Sequence, residues 1–170
     1  MRTPLMAALL MLAGGASVAQ DQPAAQVEVR FEQPQDYRDA RLRGPGPARG
    51  ADADVIEALT KHLRQLGQRY LTPGQRLRIE IRDIDLAGRF EPWHGPGYEV
   101  RFMRDITWPS IDLYYTFEQP GQASIQAADR VSDKSYLSRP GRQASSDRLY
   151  AEKAMLTDWF RQRFASPPAS

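Results

Sequence analysis

Residues 76–88, RLRIEIRDIDLAG, decide the fold that this sequence predicts. Up to Ile81 the apolar and charged residues alternate, which is the period of a β-strand with one buried face. Beyond Ile81 the alternation slips, because Asp83 takes an inward position and Ile84 an outward one. A β-bulge, or the end of the strand, near Asp83 would account for this slip. The stretch therefore predicts a half-buried strand with an irregularity at its acidic end.

Other segments of the chain show the same alternation. They are residues 27–32, 98–103, 111–117 and 123–132. Pro109 removes one ladder donor and forces Trp108 into an extended conformation, so we expect a corner or bulge between the segments on either side. The last segment is the least apolar, which favours a position at the edge of the sheet.

Two segments have the periodicity of amphipathic helices. In the first, Asp54 stands three residues before Glu57, the spacing of a capping box, and the sequence TPG at 72–74 ends the helix. Ser146 is expected to cap the second helix. The apolar stripe of the first helix is Val55, Leu59, Leu63, Leu66 and Tyr70, and that of the second is Leu149, Leu156, Trp159, Phe160 and Phe164.

The order of these elements predicts an α+β fold with a five-stranded, mostly antiparallel sheet. The order is strand, helix, a meander of four strands, and helix. The first strand joins the sheet through a helical crossover, which is normally right-handed. Each helix has one apolar stripe and each strand one apolar face, so both helices are expected to pack on one face of the sheet.

The connection between the first strand and the first helix is rich in Pro, Gly and Arg. Such a composition buries little surface and predicts a solvated, mobile loop. Its arginines leave a second interpretation open, in which the loop holds an anionic ligand. These arginines are Arg38, Arg41, Arg43 and Arg49.

The first 19 residues have the order of a cleavable signal peptide. Arg2 precedes an apolar run, and small residues stand at Ser17 and Ala19. The run is shorter than the roughly 20 residues that span a bilayer. We expect cleavage after Ala19, a flexible N-terminus at 20–26, one domain at 27–165 and a disordered tail at 166–170. The mature protein is then soluble and periplasmic or secreted, with no later transmembrane segment.

Composition excludes several classes of site. The chain has no cysteine, so thiol catalysis, zinc–thiolate sites and disulfides are ruled out. Basic and acidic residues alternate rather than forming a basic stripe, which argues against nucleic acid as a partner. No glycine-rich phosphate loop or metal-ligand spacing is present, so we expect neither a cofactor nor a metal. The partner is an unidentified ligand or envelope protein, and the oligomeric state is left open.

Acidic residues at the ends of two predicted strands form the first candidate site. Strand direction predicts two separate pairs, with Asp85 near the loop of Trp93 and His94, and Asp105 near Asp112. Two pairs form a weaker metal site than one group of four, because hard cations need several oxygens at short distance. Aspartate also commonly caps turns through its own backbone. A structural role at turns and strand ends is therefore the favoured interpretation.

His94 is the better catalytic candidate of the two histidines, because it lies on a loop with Asp85 nearby in the sequence. No nucleophile motif accompanies it. His62 flanks the apolar stripe of the first helix and is expected to pack there. Tyr114 has outward parity on its strand and is a candidate for ligand contact.

Four segments together resemble a known family. They are DIDLAG at 83–88, EVRFMRDITWPSIDLYY at 99–115, RVSDKSYL at 130–137 and LYAEKAMLTDWF at 149–160. In this order they resemble the exported bacterial proteins known as domain of unknown function 3016. The resemblance implies a small, exported, single-domain protein and transfers no catalytic residue. The matching segments include Asp83, Asp85, Gly88, Arg104, Asp105, Pro109 and Asp133.

These observations favour a non-catalytic periplasmic binding or accessory protein. The candidate binding residues are Asp83, Arg104, Asp105, Tyr114 and Asp133. One alternative is a hydrolase or metal-assisted enzyme that uses Asp85, His94 and nearby acids. Another is an envelope assembly subunit that pairs through an open sheet edge, for which the strand at 123–132 is the candidate.

Overall fold

The computed structural model describes residues 24–44, 49–91 and 100–165. Within these ranges the regular elements follow the order strand, helix, five strands, helix. They are β1 (Gln26–Phe31), α1 (Ala53–Tyr70), β2 (Arg76–Asp85), β3 (Arg89–Phe90), β4 (Arg101–Phe102), β5 (Ser110–Glu118), β6 (Ile125–Ser132) and α2 (Tyr150–Phe164). The α+β class predicted from the sequence is confirmed. Neither α1 nor α2 is long and apolar enough to cross a membrane.

The main sheet is mixed and has the strand order β1-β2-β5-β6. β1 runs parallel to β2, because helix α1 returns the chain to the same end of the sheet before β2 begins. β5 is antiparallel to both β2 and β6. β6 is thus an edge strand, as its weakly apolar sequence predicts.

The prediction of a five-stranded sheet is wrong. Residues 101–102 of the expected third strand pair with β3 as a separate two-stranded ribbon. β2 already has β1 on one side and β5 on the other, so the segment between β2 and β5 has no edge of β2 to occupy. Gly88, with a positive φ of 77°, turns the chain away from β2 toward the ribbon. The alternation of apolar and charged residues predicts a strand at this point, but it does not predict which strand it pairs with.

The irregularity predicted in β2 is confirmed as a β-bulge. The register with β5 shifts between Ile81 and Asp83. The extra residue restores Ile84 to the apolar side, where it is completely buried. Asp83 and Asp85 then alternate with Ile84, away from the core.

Both helices pack on one face of the main sheet, as predicted. A Cβ atom added to Gly67 of α1 would lie 2.1 Å from the side chain of Val27 in β1, so the glycine permits close contact between helix and strand. On the same face, the ring of Phe164 in α2 lies 5.4 Å from that of Tyr115 and 5.0 Å from that of Phe117. The helices and the inward residues of the strands form one core.

Neither helix is capped as the sequence predicts. α1 begins at Ala53 with Asp52 as N-cap, and the Asp52 carboxylate accepts a bond from the backbone N–H of Leu42 instead of capping the helix. α2 begins at Tyr150 with Leu149 as N-cap, so Ser146 lies outside it. Before α2 it is the Asp147 carboxylate that accepts the Leu149 N–H, over 2.9 Å. Neither contact follows from the local spacing.

The connection between β1 and α1 is not the solvated loop that its composition predicts. Tyr37 and Ala40 are buried in the core. The Tyr37 hydroxyl donates to the Ile81 carbonyl over 2.7 Å, and Asp39 forms an isolated parallel bridge with Asp85. The described part of this connection therefore packs along the bulged end of β2.

Candidate functional site

The acidic end of β2 is bound to the loop after β1 through Arg38. The bulge places Asp83 opposite Asp112 of β5. The Arg38 side chain pairs with Asp83, and its backbone N–H donates to the same carboxylate over 2.8 Å. Its guanidinium also lies 3.7 Å from Asp85 and 3.5 Å from Asp112. Partial burial lowers the pKa of Arg38, but the bond to Asp83 and the charges of Asp83, Asp85 and Asp112 outweigh this effect, so the pKa is raised.

Arg101 of β4 is the buried cation beside this group, with 6% of its side chain exposed. Its Nη1 and Nη2 donate to the two carboxylate oxygens of Asp39, each over 2.9 Å. Its other bonds reach backbone carbonyls of the two adjoining loops. The carbonyls belong to Arg41, Leu86, Ala87 and Gly88, at distances of 2.9 to 3.2 Å. Arg101 therefore joins the ribbon to the main sheet.

Arg89 completes what we call the Arg–Asp cluster. Its Nη1 lies 2.7 Å from Asp85 and 3.2 Å from Asp39. The members of the cluster are Arg38, Asp39, Asp83, Asp85, Arg89, Arg101 and Asp112. Each carboxylate faces at least one guanidinium of the cluster. Four aspartates face three arginines, and Asp112 also lies 3.6 Å from Arg130 of β6.

The predicted division of the acids into two pairs is therefore wrong. Asp112 lies opposite Asp83 because the β2–β5 register brings their strands together. Asp105 is exposed in the turn that follows β4. In the described part of the chain, no group of three or more His, Cys, Asp or Glu side chains is placed to hold a metal ion.

Glu152 of α2 is a buried acid that the sequence analysis missed. Only 1% of the residue is exposed. Its Oε1 accepts the Ala87 N–H over 2.7 Å, while Oε2 has no hydrogen-bond partner among the described residues. Burial raises the pKa of Glu152, against the opposing effects of the Ala87 N–H and the Arg101 charge. The signal was its position: Glu152 stands three residues after Leu149 and four before Leu156, on the buried stripe.

Gly88 allows the turn after β2 to contact β4 closely. Its φ of 77° lies in the left-handed region. A Cβ atom there would lie 2.7 Å from the Met103 sulfur and 2.8 Å from the Phe102 carbonyl oxygen. A side chain at this position would displace the backbone that supplies carbonyls to Arg101.

Two other candidate residues from the sequence are held in ion pairs. Arg104 forms a bidentate pair with the buried Glu91, with both distances 2.8 Å, and the bond to Glu91 raises the pKa of Arg104. Asp133 accepts the Ser135 N–H over 2.9 Å and also pairs with Arg139. Both residues thus stabilise turns next to the main sheet.

Three of the four arginines proposed to hold an anion in the β1–α1 connection lie near acids. Arg38 belongs to the cluster. Arg41 lies 3.9 Å from Asp52, and Arg43 lies 3.1 Å from Asp54. Arg49 is exposed.

Tyr114 points to the uncovered face of the sheet, as its parity predicts. Its hydroxyl donates to Gln126 over 2.6 Å, and the Arg82 guanidinium lies 5.1 Å from its ring centroid. This face is polar and carries ion pairs between neighbouring strands, such as Arg78 with Glu118 at 3.3 Å.

His62 packs between the two helices, as expected. Its Nε2 lies 2.9 Å from the Lys153 carbonyl oxygen and 3.0 Å from the Thr157 hydroxyl. Burial lowers the pKa of His62. His94 and Trp93 lie outside the described residues, and so does the proposed approach of His94 to Asp85.

Comparison with known proteins identifies the family. A family model described as "Protein of unknown function (DUF3016)" matches residues 25–162. The chain belongs to this family, and the resemblance inferred from the four sequence segments is confirmed. No curated protein and no solved structure matches the chain.

Proposed function

We propose that the chain is an exported, non-catalytic domain that binds a ligand or an envelope protein in the periplasm or outside the cell. The signal-like residues 1–19 support the exported location. The Arg–Asp cluster supports the non-catalytic role and is the observation that carries the proposal.

A general base must be free to accept a proton from its substrate. Asp85 is the strongest acidic candidate, yet its two carboxylate oxygens lie 2.7 Å from Arg89 and 3.7 Å from Arg38, and its side chain is 13% exposed. Both carboxylate oxygens of Asp85 thus lie beside guanidinium groups of the same chain. This arrangement suits a structural ion network better than acid–base catalysis.

The enzyme alternative depends on Asp85 and His94, so their substitution tests it. The mature chain, D85N and H94A are assayed with ester, phosphoester, peptide and glycoside substrates, and metal content is measured on the same samples. We expect no turnover above the buffer rate and no stoichiometric metal. Turnover by the wild type that is lost in folded D85N or H94A would overturn the proposal.

The open edge of β6 favours a second candidate function, assembly with another envelope protein by strand addition. Among the described residues β6 has a strand neighbour only in β5, and Ile125 at its start is 49% exposed. Edge strands present free backbone groups to a partner strand.

This second function is tested by crosslinking the tagged mature chain in its own envelope. If the interface is at β6, the variant I125K, which changes an exposed position, should abolish the crosslinks to the partner. A monomer with no recovered partner would exclude assembly through this edge.

A further inference from the structure

A cavity of about 600 Å³ lies between the loop after β1, the ribbon strand β4 and the residues that precede α2. We call it the arginine cavity. It is lined by Leu42, Arg43, Val100, Arg101, Met103 and Arg148. Its volume is within the range of small-molecule sites, roughly 300–1,000 Å³.

The arginines of this cavity differ in how well their charges are matched. Arg101 is fully engaged by Asp39 and the loop carbonyls. Arg43 has one exposed contact, 3.1 Å to Asp54, and Asp54 is not part of the lining. Arg148 is exposed and has no ion pair with any residue in the described ranges. No acidic side chain is among the described lining residues, so the described part of the lining carries an excess of positive charge.

The other half of the lining is apolar and partly open to solvent. Val100 is 55% exposed and Met103 is 37% exposed. Single exposed apolar residues are common on protein surfaces, but these two line the same cavity as the unmatched Arg148. Met103 and Arg148 also line a neighbouring cavity of about 250 Å³, which extends the space available next to the cation.

We propose that the arginine cavity binds a small amphipathic anion, a carboxylate or phosphate attached to an apolar chain. The anionic group contacts Arg148 and Arg43, and the chain packs on Leu42, Val100 and Met103. Guanidinium groups suit both acids because they donate in parallel to two oxygens. The inference rests on the proposed binding function and gives it a ligand class.

The test is calorimetric titration of the mature chain with decanoate and with decyl phosphate, below their aggregation concentrations. These two probes distinguish a carboxylate ligand from a phosphate ligand. Decyltrimethylammonium, with the same chain and the opposite charge, is the ligand control. We expect saturable binding of at least one anion and none of the cation.

Three variants locate the binding site. R148A is expected to weaken anion binding about ten-fold, the usual effect of losing one charge-assisted bond. V100S should also weaken binding, by about three-fold, because it removes apolar contact from the chain. R64A is the matched control, since Arg64 is an exposed arginine on α1 outside the cavity lining. Thermal melting verifies that each variant is folded.

The outcomes separate this inference from the proposed function. Absence of saturable binding to the wild type, or equal affinity for R148A and R64A, would overturn the ligand assignment. Release of inorganic phosphate from decyl phosphate would contradict the non-catalytic function, and only its loss in R148A but not in R64A would support the cavity as the site. Weakening by R148A and V100S without turnover would support both.

Discussion

The Arg–Asp cluster and the arginine cavity adjoin at Arg101 but use arginine in opposite ways. In the cluster, each of Arg38, Arg89 and Arg101 contacts carboxylates of the same chain. In the cavity, Arg148 has no such partner among the described residues and lies beside exposed apolar side chains. The difference indicates that richness in charge does not itself mark a binding site. The proposed ligand site depends on Arg148, whose charge has no carboxylate partner among the described residues and which lies beside apolar side chains of the same cavity.

The two regions should respond differently to the loss of an arginine. A buried cation that is removed leaves carboxylates and carbonyls without their donor, which costs stability. Removing an exposed cation that has no ion-pair partner leaves no buried charge or acceptor unpaired. The free energy of unfolding should therefore stay nearly constant, and only ligand binding should weaken.

The largest effect is expected for R101M. The change removes the donors to Asp39 and to the loop carbonyls, and we expect the free energy of unfolding to fall by about 3–5 kcal/mol. Urea denaturation measures it. R148M, the same substitution at the cavity, should stay within about 0.5 kcal/mol of the wild type. Equal losses in the two variants would remove the distinction between the regions.

The next largest loss of stability is expected for G88A. This variant tests whether the turn after β2 must approach β4 closely in order to provide carbonyl acceptors for Arg101. The added Cβ would combine a strained φ with contacts below 3 Å to Met103 and Phe102, so we expect a loss of about 3 kcal/mol in unfolding free energy.

G121A is the matched control for this change. Gly121 also has a positive φ, 73°, but a Cβ there meets nothing within 4 Å. We expect G121A to lower the free energy of unfolding by only about 1 kcal/mol, which is the effect of the positive φ alone. Similar losses for the two alanine variants would show that the close approach at Gly88 has no energetic weight.

E152Q extends the comparison to a buried acid. The Oε2 atom of Glu152 has no hydrogen-bond partner among the described residues. The raised pKa of Glu152 means that the folded chain keeps a proton that the unfolded chain loses above pH about 4.3. Stability of the wild type relative to E152Q is therefore complete below that pH and falls as pH rises toward the folded pKa. We expect a difference on the order of 1 kcal/mol between pH 4 and pH 8. Unfolding at several pH values measures it, and a pH-independent difference would contradict the raised pKa of Glu152.

The smallest effect is expected for H62Q, and it has the opposite sign. Burial lowers the pKa of His62, so as pH falls below about 6.5 the unfolded chain gains a proton before the folded chain does. The wild type should lose up to about 1 kcal/mol relative to H62Q between pH 7.5 and pH 5. Parallel pH profiles for the two proteins would mean that His62 ionises freely in the folded chain.

Local patterns in the sequence predicted most of the fold. Alternation from Leu77 to Ile81 and the slip at Asp83 follow from side-chain parity, and the helical stripes follow from their spacing. The partner of β4 depends on which strand edges are occupied, which no local pattern reveals. The burial of Tyr37 likewise depends on its long-range bond to Ile81, whereas composition reports only the turns around it.

The candidate site was less predictable than the fold. The contact of Asp83 with Arg38 joins residues 45 positions apart, and the pairing of Asp83 with Asp112 depends on the exact register after the bulge. Glu152 could have been found, because an acid on a buried stripe is visible in the sequence. The position of Arg148 could not have been found in this way, because only the folded structure shows which arginines have no carboxylate nearby.

One titration tests the distinction between matched and unmatched charges most directly. Decanoate or decyl phosphate, whichever binds the wild type, is titrated into folded D85N and folded R148A under the same conditions. We expect D85N to keep the wild-type affinity, because Asp85 belongs to the Arg–Asp cluster, and R148A to bind about ten-fold more weakly. Loss of binding in D85N with full affinity in R148A would contradict the account.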